Sequence, residues 1–503
     1  MPRRRKGASL IALALDRDAP EALHRQLYRQ IRDAVLSGRL APGTRLPSSR
    51  SLSGELACSR NTVVNALEQL HSEGYLGGLR GSGTYVSEEL PDQLLNAVRP
   101  TAPETPGGGS AEAALSGRGR ALLGLMPRRG ARHRAFLPGL PALEHFPFDV
   151  WGRLLGRVWR QPPEALPRHG EPAGHPPLRA AIADYLRAVR ALDCDAGQVM
   201  ITSGAQQGVD LVARLLLEPG ERVWIEEPGY PGLRGPLLAA GLEPVPVPLD
   251  AQGLSLEAGR RRAPDARLAV VTPSHQYPLG RTMSLARRLA LLDWAHERGA
   301  WILEDDYDSE YRYAGRPFAA LQGLDARRPE GGGRVIYLGS FSKVLFPALR
   351  LGYLVIPGPL AAAFARGRAA LDDHAPLIAQ PALAAFIEEG HFAAHVRRMR
   401  RLYAARQQAL LAAARTQLAG LLTVEPDEAG MHLTAHFTPA LARRMTDREA
   451  TRRAAAAGIT VMPLSSYFLE GAGPQGLLLG YAAVPEQAMA GAVRRLAGAL
   501  AGG

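Results

Sequence analysis

One lysine in the sequence has neighbours that suit covalent chemistry. The chain has 60 lysine and arginine residues, yet only Lys6 and Lys343 are lysines. Arginine cannot form a Schiff base with an aldehyde, because that reaction needs an amine that can lose its proton. Lys343 follows Ser340 and Ser342 and precedes Arg350 by seven residues. This setting favours a chemical role over the alternative, a surviving surface lysine in an arginine-biased chain.

Other segments supply partners for a phosphorylated aromatic aldehyde. Asp305 follows a hydrophobic run, where a carboxylate would keep a pyridine nitrogen protonated. Tyr307 is suited to hydrogen-bond the phenolic oxygen of the same ring, and Tyr230 to lie against its face. Backbone amides at a strand-to-helix turn, two serines and a guanidinium would bind the phosphate, through Ser203, Gly204, Ala205, Gln206, Ser340, Ser342 and Arg350. With Lys343, this set is what pyridoxal 5′-phosphate requires.

Each of these signals is weak by itself. An acidic residue at a strand end is more often a helix cap, and a Gly-Tyr turn is more often plain structure. The prediction therefore depends on all the segments meeting at one place.

The elements that would bring them together are short apolar runs alternating with helices. The runs are 223–225, 268–271, 301–303, 335–338 and 353–356, and helices are expected between them, for example at 205–217 and 284–298. This alternation predicts an α/β domain with a mostly parallel, buried central sheet over residues 134–500. Ligands of such sheets bind at the carboxyl ends of the strands, where the polar segments lie.

The amino-terminal part has a different pattern. Residues 21–36 predict an amphipathic helix, Pro47-Ser48-Ser49 opens a second helix, and a third follows Cys58. Two short strand-like runs around a glycine-rich tip come next. Three helices and a hairpin of this size indicate a winged helix-turn-helix, which we place at 15–88.

In such a module the third helix enters the major groove of double-stranded DNA, and the hairpin forms a wing. Arginine and asparagine suit base edges, while serine and threonine suit phosphates. The residues expected at DNA are Arg50, Ser59, Arg60, Asn61, Thr62, Arg80, Gly81, Ser82, Gly83 and Thr84. For each arginine taken singly, a solvated surface position is an equal alternative.

Composition bears on four further questions: the linker between the domains, nucleic-acid binding, cellular location and metal binding. Residues 89–133 are rich in Pro, Gly and Arg with little apolar periodicity, so a flexible linker is expected there. The net charge of +12 permits nucleic-acid binding without proving it. No run approaches the length of a membrane span, and no secretory signal is recognised, so a cytoplasmic protein is expected. Cys58 and Cys194 fit no metal spacing, and no metal site is predicted.

Two family resemblances follow from these motifs. Leu46-Pro-Ser-Ser-Arg50, Thr62-Val-Val-Asn65 and Gly81-Ser-Gly-Thr84 resemble the DNA-binding domain of GntR-family regulators over residues 21–87. The cofactor segments, with Gly170–Gly174 and Thr272–Gly280, resemble the fold-type I aminotransferase domain over 134–500. The order of the two is similar to the MocR-type subfamily, most like its pyridoxal-phosphate-sensing regulators of vitamin B6 metabolism. The resemblance implies a homodimeric transcription factor that binds pyridoxal 5′-phosphate as an internal aldimine at Lys343 and is not an enzyme.

The chain departs from the aminotransferase pattern at positions that matter. Tyr277 stands where the enzymes commonly have asparagine, and His169 where they have a tyrosine given by the partner subunit. Leu478 aligns with the arginine that holds the substrate carboxylate. The interval between Arg453 and Arg494 contains no arginine. Leucine cannot make the bidentate pair, although an arginine from another element could replace it.

Three functional hypotheses follow. The leading one is a regulator whose effector is pyridoxal 5′-phosphate itself, acting on vitamin B6 genes. In the second, the same architecture responds to an amino acid or amine, such as GABA or taurine, through an external aldimine. The third is a working aminotransferase with an accessory DNA-binding domain, which the missing carboxylate clamp disfavours.

Overall fold

The computed structural model describes residues 13–78, 83–88, 90, 114–125, 135–164, 166, 168–313, 319–328, 331–470 and 473–502. The chain divides into two compact units, Met1–Ala111 and Glu112–Gly503. None of the described helices is long and apolar enough to cross a bilayer.

The first unit is a three-helix module with a hairpin. Its elements are α1 Leu23–Leu36, α2 Ser49–Glu55, α3 Arg60–Ser72, β1 Leu76–Gly77 and β2 Tyr85–Val86. Leu27, Ile31 and Val35 recur at helical spacing in α1 and are fully or almost fully buried, so they form one side of the core. The antiparallel pairing of β1 with β2 closes the hairpin. The predicted winged helix-turn-helix arrangement is present in the described residues.

Two serines set where α2 and α3 begin. Ser48 precedes α2 and its side chain accepts a hydrogen bond from the Ser51 backbone N–H. Ser59 does the same for α3 through the Thr62 N–H. Such caps satisfy backbone donors that the first helical turn leaves unpaired.

The core of the second unit is an eight-stranded sheet. Its strands are β3 Val199–Thr202, β4 Arg222–Glu227, β5 Glu243–Asp250, β6 Gly253–Leu254, β7 Leu268–Val271, β8 Trp301–Asp306, β9 Val335–Ser340 and β10 Gly352–Val355. They lie in the order β3-β10-β9-β8-β7-β4-β5-β6. β4, β5, β7, β8 and β9 pair in parallel, as predicted. β10 is antiparallel to both neighbours, and β6 is antiparallel to β5.

A second, four-stranded antiparallel sheet lies towards the carboxyl terminus. Its strands are β11 Leu422–Val424, β12 His432–Phe437, β13 Met462–Pro463 and β14 Gly476–Gly480, in the order β11-β12-β14-β13. The long helix His391–Gln417 packs against the final helix Glu486–Ala501. This sheet was not predicted from the sequence.

Helices pack against both sheets. In the second unit they are Gly117–Leu123, Phe148–Arg160, Pro176–Arg190, Ala205–Leu216, Arg234–Ala239, Leu256–Arg262, Leu285–Arg298, Leu321–Asp325, Phe341–Val344, Gly358–Asp372, Gln380–Glu388, His391–Gln417, Pro439–Arg444, Asp447–Ala456 and Glu486–Ala501. Short 3-10 turns lie at Leu143–His145, Pro231–Leu233, Ser309–Tyr311, Pro347–Leu349 and Leu464–Tyr467. Helix Gly117–Leu123 falls inside the stretch predicted as a linker and packs against Arg234–Ala239.

Candidate functional site

Lys343 lies just beyond the carboxyl end of β9, in the short helix Phe341–Val344. The Ser340 side chain starts this helix by accepting a hydrogen bond from the Ser342 N–H at 3.2 Å. The Lys343 side chain is half-buried, and its Nζ donates to the Gly139 carbonyl oxygen at 3.0 Å. A Cβ at Gly139 would come within 2.5 Å of that Nζ. The amine is therefore directed towards the backbone at Gly139, whose φ of +72° is a conformation that favours glycine.

Asp305 lies on β8, the strand next to β9, and is 5% exposed. Its Oδ1 is buried and has no hydrogen-bond partner among the described residues. Burial raises the pKa of Asp305 to about 7, and the Asp306 and Glu226 carboxylates add to the rise, whereas the Lys343 amine opposes it. A buried carboxylate oxygen without a donor matches a ligand that brings a cationic N–H group.

The segment after β3 has features that suit an anion, and we call Gly204 and Arg350 the anion cradle. Gly204 has φ +95°, a conformation that favours glycine, and precedes the twelve-residue helix Ala205–Leu216. The Arg350 guanidinium donates to the Ser203 carbonyl oxygen at 2.8 Å and would lie 3.1 Å from a Cβ at Gly204. A helix N-terminus with a guanidinium beside it suits a phosphate. Gln206, also predicted here, is exposed and donates to the Gly232 carbonyl oxygen at 3.4 Å.

Aromatic side chains form another wall of the site. Tyr277 contacts the rings of Tyr230, Tyr307 and Tyr467 edge to face, with centroid distances of 5.7, 5.8 and 5.4 Å. The Tyr230 ring is 37% exposed and lies over the position that a Cβ of Gly232 would occupy. Tyr230 and Tyr307, both predicted at the cofactor, thus meet around Tyr277.

A buried charge cluster that sequence reasoning missed lies beside this wall. His275 Nδ1 lies 3.0 Å from both Asp308 Oδ2 and the Tyr307 hydroxyl, and its Nε2 lies 3.2 Å from Asp427 Oδ2. Although burial opposes protonation, the two carboxylates raise the pKa of His275 to about 10. His275 is thus an imidazolium held between two acids. The Thr272–Gly280 segment, which contains His275, was part of the resemblance to aminotransferases. Nothing in the sequence connected His275 to Asp427.

In the first unit the start of α3 is exposed, as a DNA-reading helix requires. Arg60 and Asn61 are exposed, and the Arg60 Nε lies 3.4 Å from the Ser49 hydroxyl. The hydroxyls of Ser59 and Thr62 bond each other at 2.9 Å while Ser59 caps the helix. Both hydroxyls therefore help to shape the helix start, whereas the exposed side chains of Arg60 and Asn61 are accessible to DNA.

The predicted wing is described only in part. Arg80, Gly81 and Ser82 lie outside the described residues, whereas Gly83 and Thr84 lead into β2. Arg50, at the start of α2, is exposed as expected for a phosphate contact.

Arg45 was not predicted at DNA, yet it lies at the wing. Its guanidinium lies 2.8 Å from where a Cβ of Gly83 would be and 6.0 Å from the Tyr85 ring centroid. The structure places Arg45 there through an antiparallel β-bridge to Tyr85, whereas no sequence motif pointed to it.

Comparison with known proteins matches each unit to a family. Bacterial regulatory proteins of the gntR family match residues 23–86, and aminotransferases of class I and II match residues 163–496. The chain is 44% identical to the probable rhizopine catabolism regulatory protein MocR of Rhizobium meliloti, over 95% of this chain and 93% of that protein. It is 35% identical to the pyridoxine biosynthesis transcriptional regulator PdxR of Corynebacterium glutamicum, over 95% and 96%.

A solved structure resembles the second unit. The α-aminoadipate aminotransferase LysN of Thermus thermophilus, complexed with N-(5′-phosphopyridoxyl)-L-leucine, superposes with a TM-score of 0.66 at 30% identity. The match covers 77% of this chain and 95% of that one. The two relatives that span both units are named as regulators, whereas this enzyme matches only part of the chain. The chain therefore belongs to the MocR-type subfamily of GntR-family transcription regulators, in which a DNA-binding domain precedes an aminotransferase-like domain.

Proposed function

We propose that this regulator binds pyridoxal 5′-phosphate at Lys343 and alters its operator binding in response, controlling genes of vitamin B6 metabolism. The observation that carries the proposal is the buried Asp305 Oδ1, which lacks a donor among the described residues and lies on a strand next to the one that leads to Lys343. A protonated pyridine nitrogen supplies that donor. When bound, the cofactor contributes an electrophilic carbonyl carbon and a phosphate.

The described residues fit this group at each end. Arg350 and Gly204 form the anion cradle, and Asp305 supplies the carboxylate for the ring nitrogen. Tyr307 and Tyr230 would border the ring, and the Lys343 amine is close enough to Asp305 to oppose the rise in its pKa. The remaining predicted phosphate contacts are Ser203, Ala205, Gln206, Ser340 and Ser342.

The cofactor claim is tested by the visible absorption of the purified protein after pyridoxal 5′-phosphate is added. The wild type should show a long-wavelength band, and Lys343→Ala should lack it while keeping its circular dichroism. Lys6→Ala, which removes the only other lysine, is the matched control and should keep the band. A band that survives in Lys343→Ala would contradict the assignment.

The sensor claim needs a DNA readout. Footprints of the apo and cofactor-loaded protein on the upstream regions of vitamin B6 genes should differ in extent or affinity. Identical protection in both states would remove pyridoxal 5′-phosphate as the effector and leave a constitutive DNA binder.

We propose a regulatory rather than an enzymatic role for the second unit. Leu478, in place of the carboxylate-binding arginine, supports this. Sustained turnover of an amino donor and a keto acid by the loaded protein would contradict it.

A second candidate is the same regulator with an amine as its effector. The 44% identical relative named for rhizopine catabolism favours it, because that name describes control of a catabolic pathway rather than of cofactor synthesis. A change in the visible spectrum on adding one candidate amine, together with a changed footprint, would support this candidate over the first.

A further inference from the structure

Two histidines and an aspartate from distant parts of the chain meet in the second unit. His169 lies in the loop before helix Pro176–Arg190. Asp373 and His374 directly follow helix Gly358–Asp372. Each of the three offers one ring nitrogen or carboxylate oxygen, and these atoms all lie within 4.8 Å of one another. No other group of His, Cys, Asp or Glu among the described residues is arranged in this way.

The His374 ring is oriented as a metal ligand requires. Its Nδ1 lies 2.9 Å from the Ala375 carbonyl oxygen, which can only accept, so Nδ1 carries the ring proton. In the neutral imidazole this leaves Nε2 as an acceptor, and Nε2 lies 3.8 Å from Asp373 Oδ2. Two acceptors cannot bond each other, but a cation can bind both. A backbone carbonyl that fixes the second ring nitrogen is a common partner of histidines that bind metal.

The Asp373 carboxylate also reaches the other ring. Its Oδ2 lies 2.6 Å from His169 Nδ1. In a tetrahedral zinc site with bonds of about 2.0–2.2 Å, neighbouring ligand atoms are about 3.3 Å apart. The two distances from Asp373 Oδ2 lie on either side of this value. Because the His169 side chain is 93% exposed, it has room to move and lengthen the shorter one.

The surroundings leave the fourth ligand position to water. The neighbouring Asp372 accepts a hydrogen bond from Gln207 and forms an ion pair with Arg368, so its carboxylate is already engaged. Solvent reaches the cluster from the side of the exposed His169. Imidazole nitrogens favour Zn²⁺ and similar transition metals, whereas Mg²⁺ and Ca²⁺ prefer sites made only of oxygen ligands.

We propose that His169, Asp373 and His374 form a binding site for a divalent transition-metal ion such as Zn²⁺, with water as the remaining ligand. The bound ion links the loop before helix Pro176–Arg190 to the end of helix Gly358–Asp372. No metal site was predicted from the sequence, because the first ligand is 204 residues from the second. The site goes beyond the proposed function and uses none of the residues proposed to bind pyridoxal 5′-phosphate.

The test is a zinc titration of full-length, tag-free protein without cofactor, because a polyhistidine tag or a phosphate would itself bind metal. Zn²⁺ is added in competition with a chromophoric chelator, and Mg²⁺ is titrated separately by calorimetry. Wild-type protein should take Zn²⁺ from the chelator at micromolar concentrations and should not bind Mg²⁺ there. Failure to bind Zn²⁺, or equal affinity for Mg²⁺, would overturn the proposal.

Substitutions locate the ion. His169→Gln, Asp373→Asn and His374→Gln should each weaken Zn²⁺ binding about tenfold or more, because even the loss of a residue that only supports a metal ligand has this effect. His169→Gln changes an exposed side chain, and asparagine tolerates the φ of +64° at position 373, so both variants should fold.

The matched control is His145→Gln, which changes another histidine beside a carboxylate, that of Glu144 at 3.8 Å. This variant should bind Zn²⁺ as the wild type does. The proposal would be overturned if any of the three ligand variants kept wild-type affinity while folded by circular dichroism, or if His145→Gln lost as much affinity as they did.

Discussion

At the residue scale, Asp305 and Asp306 show how two adjacent carboxylates on one strand serve different purposes. Asp306 forms a buried ion pair with Arg190 at 2.7 Å, and its Oδ2 also accepts from the Ser309 hydroxyl. The Asp305 Oδ1 has no donor among the described residues. One oxygen of Asp306 therefore contributes to the stability of the fold, although its Oδ1, like that of Asp305, has no partner among the described residues. The charge of Asp305 is opposed by the Lys343 amine and is available to a ligand that brings a cationic N–H group.

Asp305→Asn should stabilise the cofactor-free protein at pH 8 and weaken its binding of pyridoxal 5′-phosphate. The pKa of Asp305 is about 7 in the fold. Unfolding therefore releases a proton between about pH 4 and pH 7, and this carboxylate lowers stability increasingly as the pH rises through that window. The variant should gain about 1–3 kcal/mol at pH 8 and little at pH 4, measured by denaturant unfolding.

The neighbouring residue provides the matched control. Asp306→Asn leaves the buried Arg190 without its partner and should destabilise the protein by about 3–5 kcal/mol. Cofactor affinity of Asp305→Asn, measured by titration of the visible band, should fall about tenfold or more. If Asp305→Asn instead loses stability at pH 8 and binds cofactor normally, Asp305 has a structural role.

Residue types identified part of the site but not its long-range partners. Lys343 and Asp305 could be predicted because their chemistry is specific and each follows an apolar run. Gly139 and Asp427 could not, since each meets its partner only through the tertiary fold. Lys343 is 204 residues from Gly139, and His275 is 152 residues from Asp427.

At the element scale, strand ends and helix starts position the functional groups. The carboxyl ends of β8 and β9 bring Asp305 and Ser340 to one edge, as expected for parallel strands. The antiparallel direction of β10 was not predictable, because a strand buried on both faces reads as the same apolar run in either direction. The four-stranded sheet was missed because β11 and β13 have only three and two residues and because two helices separate β12 from β13 along the chain.

The residues at the start of α3 should recognise the DNA sequence. Arg60→Ala should weaken specific operator binding by about 1–3 kcal/mol and relax discrimination at one base pair. The measurement is fluorescence anisotropy at fixed salt on operators selected from random duplexes, with single-base variants. Arg29→Ala on α1, whose side chain pairs with Glu21, is the control and should leave discrimination intact. A uniform loss across all sequences would mean that Arg60 contacts phosphate instead.

At the scale of the whole molecule, we propose that the chain forms a homodimer through its second unit. Phe148 and Trp159 are 55% and 59% exposed and lie about three turns apart on one face of helix Phe148–Arg160. Ile378, also 55% exposed, precedes helix Gln380–Glu388, which packs against that helix. Large exposed apolar side chains on two helices that pack together favour an interaction surface here.

Substitutions on this surface test the dimer. Wild-type protein should have the mass of a dimer in light scattering after size exclusion, and Trp159→Arg with Ile378→Arg should shift it towards the monomer. Leu289→Arg, which changes an exposed leucine on helix Leu285–Arg298, should not. A monomeric wild type, or a dimer unaffected by the double change, would contradict the assignment.

The scarcity of lysine also makes the chain a convenient reporter of its own state. Amine-directed reagents can label little besides the chain's first amino group, Lys6 and Lys343. Peptide mass spectrometry after such labelling therefore gives the fraction of molecules whose Lys343 amine is covered, without chromophore or radiolabel. In cell extracts the same ratio would record the fraction of Lys343 amines that carry the proposed cofactor at the moment of lysis.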